Sequence, residues 1–164
     1  MIYGIYRNPD AAAQALIRLR SEHVRVSAQC RQLVRLLFTQ PDRHITAEQL
    51  QVEARQARLR VSRATVYNLL HMLTESGVLQ EIRVETGKTF YDTNTTHHFH
   101  LFFEETGEIH SLPADLEALK DLPRILGGID SQRLDVVIRV RIRPGNASER
   151  QEVAKTAGQP PHRS

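Results

Sequence analysis

The feature that most restricts how this chain can fold is a change of apolar period at Gly77. Before it, apolar residues recur after Ser62 at the spacing of one buried helix face; they are Val66, Leu69, Leu70 and Leu73. After it, residues 78–84 alternate in the manner of a strand, residues 85–88 form a turn, and residues 89–91 return as a second strand. The pattern predicts a capped helix followed directly by a β-hairpin.

Three further helices are predicted before Ser62. Residues 10–20 are rich in alanine with apolar side chains on one face, and residues 27–40 repeat apolar side chains at helical spacing. Thr46 and Gln49 form a capping box for a helix that runs to about residue 57. Helices followed by a β-hairpin are typical of a winged helix-turn-helix, which binds DNA.

The second half of the chain predicts a smaller domain. Residues 100–103 and 108–112 form short strands around a turn, residues 113–120 a short helix, and residues 134–142 a β-branched strand. The predicted class is therefore α+β: an N-terminal winged helix-turn-helix DNA-binding domain plus a small α/β dimerisation domain. The predicted divisions are an N-terminal helical extension (residues 1–21), the winged helix (22–92), a polar hinge (93–96), the dimerisation domain (97–143) and a disordered tail (144–164).

The charge is distributed unevenly along the chain. Residues 1–91 carry 13 Lys and Arg against 8 Asp and Glu, whereas residues 92–143 carry 6 against 9. Arginine predominates in the basic half, and its guanidinium group suits bidentate phosphate contacts. The asymmetry indicates nucleic acid bound by the first half and regulation by the second. A merely solvated basic face is the alternative.

Several classes of protein are disfavoured by what the sequence lacks. Its single cysteine, Cys30, excludes an internal disulfide framework and an all-cysteine zinc site. The first ten residues do not resemble a secretory signal, and no apolar run approaches the roughly 20 residues that cross a membrane. A metal-dependent hydrolase would need a motif such as HExxH, which does not occur. We therefore expect a cytoplasmic protein with no membrane partner and no enzymatic activity.

The helix after Ser62 is the candidate DNA-reading element. In this architecture its first residues face base edges in the major groove, where Arg pairs with guanine and Asn with adenine. Arg63 equally fits a phosphate contact. For Tyr67 the alternative is a packing role with its hydroxyl in water. The candidate DNA-binding residues are Arg25, Arg31, Arg63, Thr65, Tyr67, Asn68 and Lys88.

Three histidines within four positions mark a candidate metal site. Neutral imidazole is the commonest metal ligand near neutral pH. In an extended segment, His98 and His100 share one face and His97 faces the other side. A polar hinge with solvated imidazoles is the alternative interpretation.

Several motifs occur in the order found in one family. Residues 64–68 (ATVYN) and 77–79 (GVL) resemble the recognition helix and the start of the wing in the ferric uptake regulator (Fur) superfamily. The H-[VI]-[ST]-A-E segment of that superfamily resembles residues 43–48 (RHITAE), and its HHxDHL hinge resembles residues 97–101 (HHFHL). The resemblance covers about residues 22–143. Asn68, the stretch FYDTNTTHH and the phase of LDVVIRVRI are most similar to the iron response regulator (Irr) branch.

The resemblance implies a regulatory metal site formed by His44, Asp92, His98 and His100. Imidazoles with carboxylate oxygen suit Fe(II), Mn(II) or Zn(II), and the sequence does not choose among them. It also implies a homodimer bound to a double-stranded DNA operator. Haem is a second candidate effector, because imidazole is a competent axial ligand and the Irr branch responds to haem. Further candidate metal or haem ligands are His97, His110 and Glu117.

The chain departs from the family pattern at several positions. Ser111 stands where an additional acidic ligand is usual, with Glu108 and His110 nearby on the opposite face of an ideal strand. Phe99 replaces the Asp of HHxDHL, which puts a second metal site in doubt. Cys30 is followed by Arg31, so the Cys-Pro haem motif of some relatives is absent. The CxxC pairs that hold a structural zinc are also absent, with Phe103 and Thr106 at the corresponding positions.

These features together predict a metal- or haem-responsive, DNA-binding transcriptional regulator of iron homeostasis. The alternative is a metal-independent winged-helix regulator in which the histidine cluster is vestigial. The operator, the direction of regulation, assembly beyond a dimer and the role of Cys30 stay open at the level of sequence.

Overall fold

The computed structural model describes residues 9–23, 25–84, 87–113 and 136–140. The chain divides into two compact units, Met1–Thr95 and Thr96–Ser164. We refer to them as the winged-helix unit and the second unit.

The described part of the winged-helix unit contains four helices: α1 (Pro9–Ser21), α2 (Ala28–Leu37), α3 (Ala47–Gln56) and α4 (Arg63–Glu75). Ser27, Thr46 and Ser62 each cap the helix that follows, because each side-chain oxygen accepts a bond from a backbone N–H of the first turn. Thr46 and Gln49 make both bonds of the predicted capping box. The four helices predicted from the sequence are confirmed.

The hairpin after α4 is also present. Strands β2 (Gln80–Arg83) and β3 (Thr89–Asp92) pair antiparallel. Gly77 ends α4 with a φ of 66°, a conformation that glycine adopts without steric cost. The first strand begins later than predicted, because the N–H groups of Val78 and Leu79 both bond back to the carbonyl of Leu73 at 2.9 and 3.1 Å.

A third strand completes this sheet, and the sequence did not predict it. Strand β1 (His44–Ile45) pairs antiparallel with β3, which gives the order β1-β3-β2. Its register places His44 opposite Asp92. Two residues are too short to show an alternating apolar pattern.

The core of the winged-helix unit lies between its helices. Its fully buried members come from all four helices and include Leu19, Leu33, Leu37, Leu50, Leu69, Leu70 and Leu73. Val66 and Leu70 face this core, as their spacing on α4 predicted. Burying the apolar face of α4 leaves its opposite face in solvent.

The second unit contains a three-stranded sheet in the order β5-β4-β6. Strand β4 (Phe99–Phe103) pairs antiparallel with β5 (Glu108–Leu112) and parallel with β6 (Val137–Val140). The predicted helix at residues 113–120 and the predicted tail at residues 144–164 lie outside the described residues, apart from residue 113. The predicted α+β class is confirmed by the helices, the sheets and the solved structures described below.

Candidate DNA-reading surface and metal ligands

The first half of α4 presents polar side chains to solvent. Arg63 and Asn68 are exposed, and Tyr67 retains 37% of its accessible surface. The side-chain oxygens of Ser62 and Thr65 lie 2.8 Å apart, and Ser62 also accepts from the backbone N–H of Thr65. Thr65 therefore belongs to the helix cap, while Arg63, Tyr67 and Asn68 form the exposed face.

Arg63 and Tyr67 are held together by an acidic residue of α3 that the sequence analysis did not select. The Tyr67 hydroxyl donates to Glu48 Oε1 at 2.7 Å, and Arg63 Nη2 lies 3.2 Å from the same oxygen. Arg63 also donates to the Tyr67 hydroxyl at 3.3 Å and lies 5.4 Å from the ring centroid. We call these three residues the Glu48 cluster.

The hydrogen bonds of the Glu48 cluster stabilise its charged forms. The bond from the Tyr67 hydroxyl is the largest reason why the pKa of Glu48 lies below its ordinary value, and the charge of Arg63 acts in the same direction. The bond with Tyr67 likewise raises the pKa of Arg63. Near neutral pH the cluster therefore contains one carboxylate and one guanidinium.

The other candidate DNA-binding residues lie elsewhere on the winged-helix unit. Arg25 and Arg31 are exposed at the start of α2, where Arg31 Nη1 donates to the carbonyl of Val26 at 2.8 Å. Lys88 is exposed between β2 and β3, directly after Gly87, which has a φ of 77°. The hairpin follows α4 in the sequence order of a wing and presents the basic side chains of Arg83 and Lys88 to solvent.

One pair of candidate metal ligands lies in the winged-helix unit. Adjacent strands bring His44 Nε2 to 3.1 Å from Asp92 Oδ2, with 9% and 0% of the two side chains exposed. The other carboxylate oxygen of Asp92 accepts from the backbone N–H of Asn94 at 2.8 Å. An imidazole nitrogen and a buried carboxylate oxygen are donor types that suit Fe(II), Mn(II) and Zn(II).

A second pair lies in the second unit. The rings of His98 and His100 are 4.4 Å apart between centroids, and both residues are buried. His98 Nδ1 lies 2.7 Å from the carbonyl oxygen of Thr96. Because a carbonyl only accepts, Nδ1 carries the hydrogen, so the neutral ring has its lone pair on Nε2. This is the hydrogen-bonding arrangement that usually orients a metal-binding histidine.

Two further candidate ligands of the second unit, His97 and His110, lie on the other side of the sheet from His98 and His100. His110 lies opposite Leu101 in the β4–β5 pair, and the side chain of Leu101 points to the other face of the sheet from that of His100. The ring of His110 packs 5.5 Å from the ring of Phe103. His97 packs 5.4 Å from the ring of Phe99. The ladder between β4 and β5 has no bulge, and Ser111 is the residue opposite His100. Glu117 lies outside the described residues.

The sequence model of the Ferric uptake regulator family matches residues 21–125. The chain belongs to this family. Members of this family are regulators, and membership accords with the expectation that the chain is not an enzyme. None of the described helices is long and apolar enough to cross a membrane.

A curated family member is similar to this chain over part of its length. The peroxide-responsive repressor PerR of Staphylococcus epidermidis is 27% identical over 96 residues, which are 58% of this chain and 63% of that repressor. The match thus spans less than two thirds of that relative.

Solved ferric uptake regulators have the same fold. The Vibrio cholerae protein superposes with a TM-score of 0.64 at 22% identity, over 76% of this chain and 96% of its own. The Pseudomonas aeruginosa protein, solved with manganese, gives a TM-score of 0.61 at 23% identity over 79% and 98% of the two chains. At this identity the similarity establishes the fold.

Two residues that matter to this ferric uptake regulator fold were missed by the sequence analysis. Glu48 was considered only as part of the RHITAE motif, because its partner Tyr67 lies 19 positions away and such a separation leaves no local pattern in the sequence. Arg43 was read in the same way. Its backbone N–H and carbonyl bond to the side chain and backbone of Thr93, which fixes β1 beside the end of β3.

Proposed function

We propose that this ferric uptake regulator family member is a metal-responsive DNA-binding transcription regulator that acts as a homodimer on a double-stranded operator. The observation that carries the proposal is the exposed face of α4, where Arg63, Tyr67 and Asn68 project from a capped helix that precedes a hairpin. These side chains have the donor and acceptor groups that read base edges. Arg25, Arg31 and Lys88 supply basic groups for phosphates.

The effector in this proposal is one divalent ion bound by His44, Asp92, His98 and His100. Two lines of support are structural. The His44 side chain is only 9% exposed and the other three residues are buried, and each pair is composed of donors suited to such an ion. A third is the short chain segment between the pairs, since only five residues separate Asp92 from His98. When bound, the ion supplies positive charge to the buried carboxylate and a common partner for ligands of both units.

A bound ion would restrict the linking segment and thereby favour one arrangement of the two α4 helices in a dimer. A dimer binds two half-sites separated by about one turn of DNA, so only one spacing of its reading helices fits both. Metal and DNA binding are then coupled, because each favours the same arrangement. The manganese in the Pseudomonas aeruginosa neighbour supports a divalent ion of this kind.

We propose further that the regulator serves iron homeostasis in the manner of the iron response regulator branch, with haem as an opposing effector. The support is the pair His98 and His100, whose imidazoles are competent axial ligands for haem iron. Haem bound there would compete with the divalent ion for the same nitrogens. Operator binding would then weaken when haem is added to the metal-loaded protein.

The test compares the double variant His98→Ala/His100→Ala with His97→Ala/His110→Ala, which removes two imidazoles on the other side of the same sheet. A duplex enriched by the wild-type protein from a random pool serves as the operator, and binding is followed by fluorescence anisotropy with Mn(II) or with chelator. We expect Mn(II) to tighten wild-type binding by roughly 5- to 150-fold, the usual range of such coupling. The first variant should lose this gain and bound metal, and the second should keep both.

Equal operator affinity with Mn(II) and with chelator would contradict metal control and favour a metal-independent winged-helix regulator. Unchanged metal stoichiometry and metal response in His98→Ala/His100→Ala would contradict the ligand assignment. Addition of haem to the Mn(II)-loaded wild type tests the opposing effector in the same assay. An unaltered operator affinity would contradict that part of the proposal.

A further inference from the structure

The Glu48 cluster lies outside the proposed ligand set and contains a negative charge on a surface proposed to bind a polyanion. Glu48 belongs to α3, while Arg63 and Tyr67 belong to the exposed face of α4. The side chains of Arg63 and Glu48 remain 68% and 61% exposed, so all three can meet a ligand. A carboxylate at this position opposes general attraction to phosphate.

We propose that Glu48 is a specificity-determining residue for DNA. It orients Arg63 and Tyr67 toward base edges and restrains Arg63 from contacts with the phosphates of unrelated sequences. The inference rests on the proposed function of α4 and adds to it the means by which operator and non-operator DNA are distinguished.

Glu48 lowers the affinity of the exposed face of α4 for DNA of unrelated sequence. An exposed guanidinium can contact a phosphate of any DNA sequence, and such contacts supply most of the affinity for unrelated DNA. Arg63 lies 3.2 Å from Glu48, so a phosphate must compete with a carboxylate for it. The charge of Glu48 also repels the phosphates themselves. Both effects lower affinity for DNA that offers no base contacts.

Glu48 also restricts Arg63 and Tyr67 before the operator binds. Arg63 and Tyr67 are long, exposed side chains, and ordering them upon binding costs conformational entropy. The 2.7 Å bond between Tyr67 and Glu48 and the contact of Arg63 with both groups restrict these side chains before DNA arrives. A restrained pair loses less entropy at a matching base sequence. Glu48 thus favours the operator while disfavouring other DNA.

The experiment uses the full chain with the substitution Glu48→Gln, which keeps the size of the side chain and removes its charge. The probes are a duplex of about 30 base pairs, which is long enough for two half-sites, enriched by the wild type from a random pool, and a scrambled duplex of equal composition. We expect the ratio of the two affinities to fall about tenfold, at the lower end of what one specific contact contributes. Binding to the scrambled duplex should also become more salt-dependent.

The salt dependence distinguishes this role from a general effect on the fold. Each additional phosphate neutralised steepens the slope of log K against log salt by about 0.9. If Glu48→Gln releases Arg63 to a phosphate, the slope for scrambled DNA should steepen by about that amount. The further substitution Arg63→Gln should return the slope to the wild-type value.

Glu75→Gln is the matched control. Glu75 is also exposed, also lies on this unit and pairs with His71 at the other end of α4. The substitution Glu75→Gln removes the same charge without touching the Glu48 cluster. The ratio of operator to scrambled-duplex affinity should therefore stay at its wild-type value. Thermal unfolding of both variants shows that each remains folded.

An unchanged affinity ratio and salt slope in Glu48→Gln would overturn the inference, as would an equal fall in Glu75→Gln. Failure of the wild type to enrich any duplex has a different meaning. It would contradict the proposed function of α4, and the inference that rests on it would fall as well.

Discussion

At the scale of single residues, Arg43 connects three parts of the winged-helix unit. Its Nη1 donates to the carbonyls of Leu36 and Leu37 at the end of α2, at 3.0 and 3.2 Å, and to the Thr39 hydroxyl at 3.3 Å. Its Nη2 pairs with Glu53 of α3 at 2.7 Å. The last carbonyls of a helix have no partners within it, so this guanidinium acts as a side-chain cap.

Replacing Arg43 with Met should destabilise the fold. The substitution keeps an aliphatic stem but leaves helix carbonyls and Glu53 without the guanidinium, whose side chain is only 14% exposed. Hydrogen bonds to charged groups typically contribute about 1.5–3 kcal/mol, and we expect a loss of about 2–3 kcal/mol in the free energy of unfolding. Urea denaturation measures it.

Arg35→Met is the control for Arg43→Met. Arg35 is exposed on α2, and its replacement should change the free energy of unfolding by less than about 0.5 kcal/mol. Equal stability of the two variants would show that the Arg43 contacts contribute nothing beyond those of a surface arginine.

The hydroxyl of Tyr67 controls the pKa of Glu48. Its bond is the largest cause of the lowered pKa of Glu48, so Tyr67→Phe should raise that pKa toward the usual glutamate value. Because the folded-state pKa is depressed, the interaction stabilises the fold above the unfolded-state pKa. That stabilisation is lost as pH falls through the lower, folded-state value.

Carbon NMR titration of the Glu48 carboxyl group checks this prediction, with Glu75 as an internal reference on the same unit. An identical Glu48 titration in wild type and Tyr67→Phe would show that the 2.7 Å bond does not persist in solution. The stability effect is expected to be small, because the carboxylate is mostly exposed.

Motifs that resemble those of the family were enough to select His44, Asp92, His98 and His100 as one ligand set, which stays a prediction. They were not enough to find Glu48. Its partners lie 15 and 19 positions away on another helix, and the crossing of two helices leaves no local pattern in the sequence. Tertiary contacts of exposed polar side chains are the least predictable part of this surface.

At the scale of secondary-structure elements, the start of α4 determines where the DNA-reading face begins. Ser62 accepts from the backbone N–H of Thr65 at 3.1 Å, which satisfies one of the donors that a helix leaves unpaired at its first turn. Arg63 directly follows this cap. Fraying of the first turn would therefore displace a side chain proposed to contact DNA.

Ser62→Ala should lower the free energy of unfolding by about 1 kcal/mol, the usual contribution of an N-cap side chain. Ser62→Asp retains an acceptor and should keep most of that stability. Chemical denaturation of the three proteins gives the comparison, and anisotropy with the enriched duplex should show weaker binding for Ser62→Ala. If alanine and aspartate variants were equally destabilised, the cap would not be the cause.

Helices α1 to α4 were predictable because their apolar stripes and caps are local features. Strand β1 was not, since its two residues acquire a partner only when β3 folds beside them. The backbone conformation of the turn after α3 was equally unpredictable from the sequence. Arg58 adopts a φ of 58° there, in the left-handed region where a non-glycine residue is uncommon.

At the scale of the whole molecule, the order of elements and the distribution of charge were the most predictable properties. The basic balance of residues 1–91 coincides with most of the unit that contains α4. The α+β class followed from the change of period at Gly77 and from the strands of the second unit. Pairing between strands distant in sequence, as between β4 and β6, could not be derived from local patterns.

The parallel pairing of β4 with β6 can form only late in synthesis. Strand β5 follows β4 at once, but β6 begins at Val137, roughly 25 residues after β5 ends. At the usual rate of about 5–20 residues per second, a ribosome needs on the order of 1–5 s to make this interval. During that time the nascent chain contains β4 without the neighbour that later pairs with its second edge. Unpaired strand edges can pair with other chains, so this edge of β4 is open to pairing with a neighbouring nascent chain during those seconds.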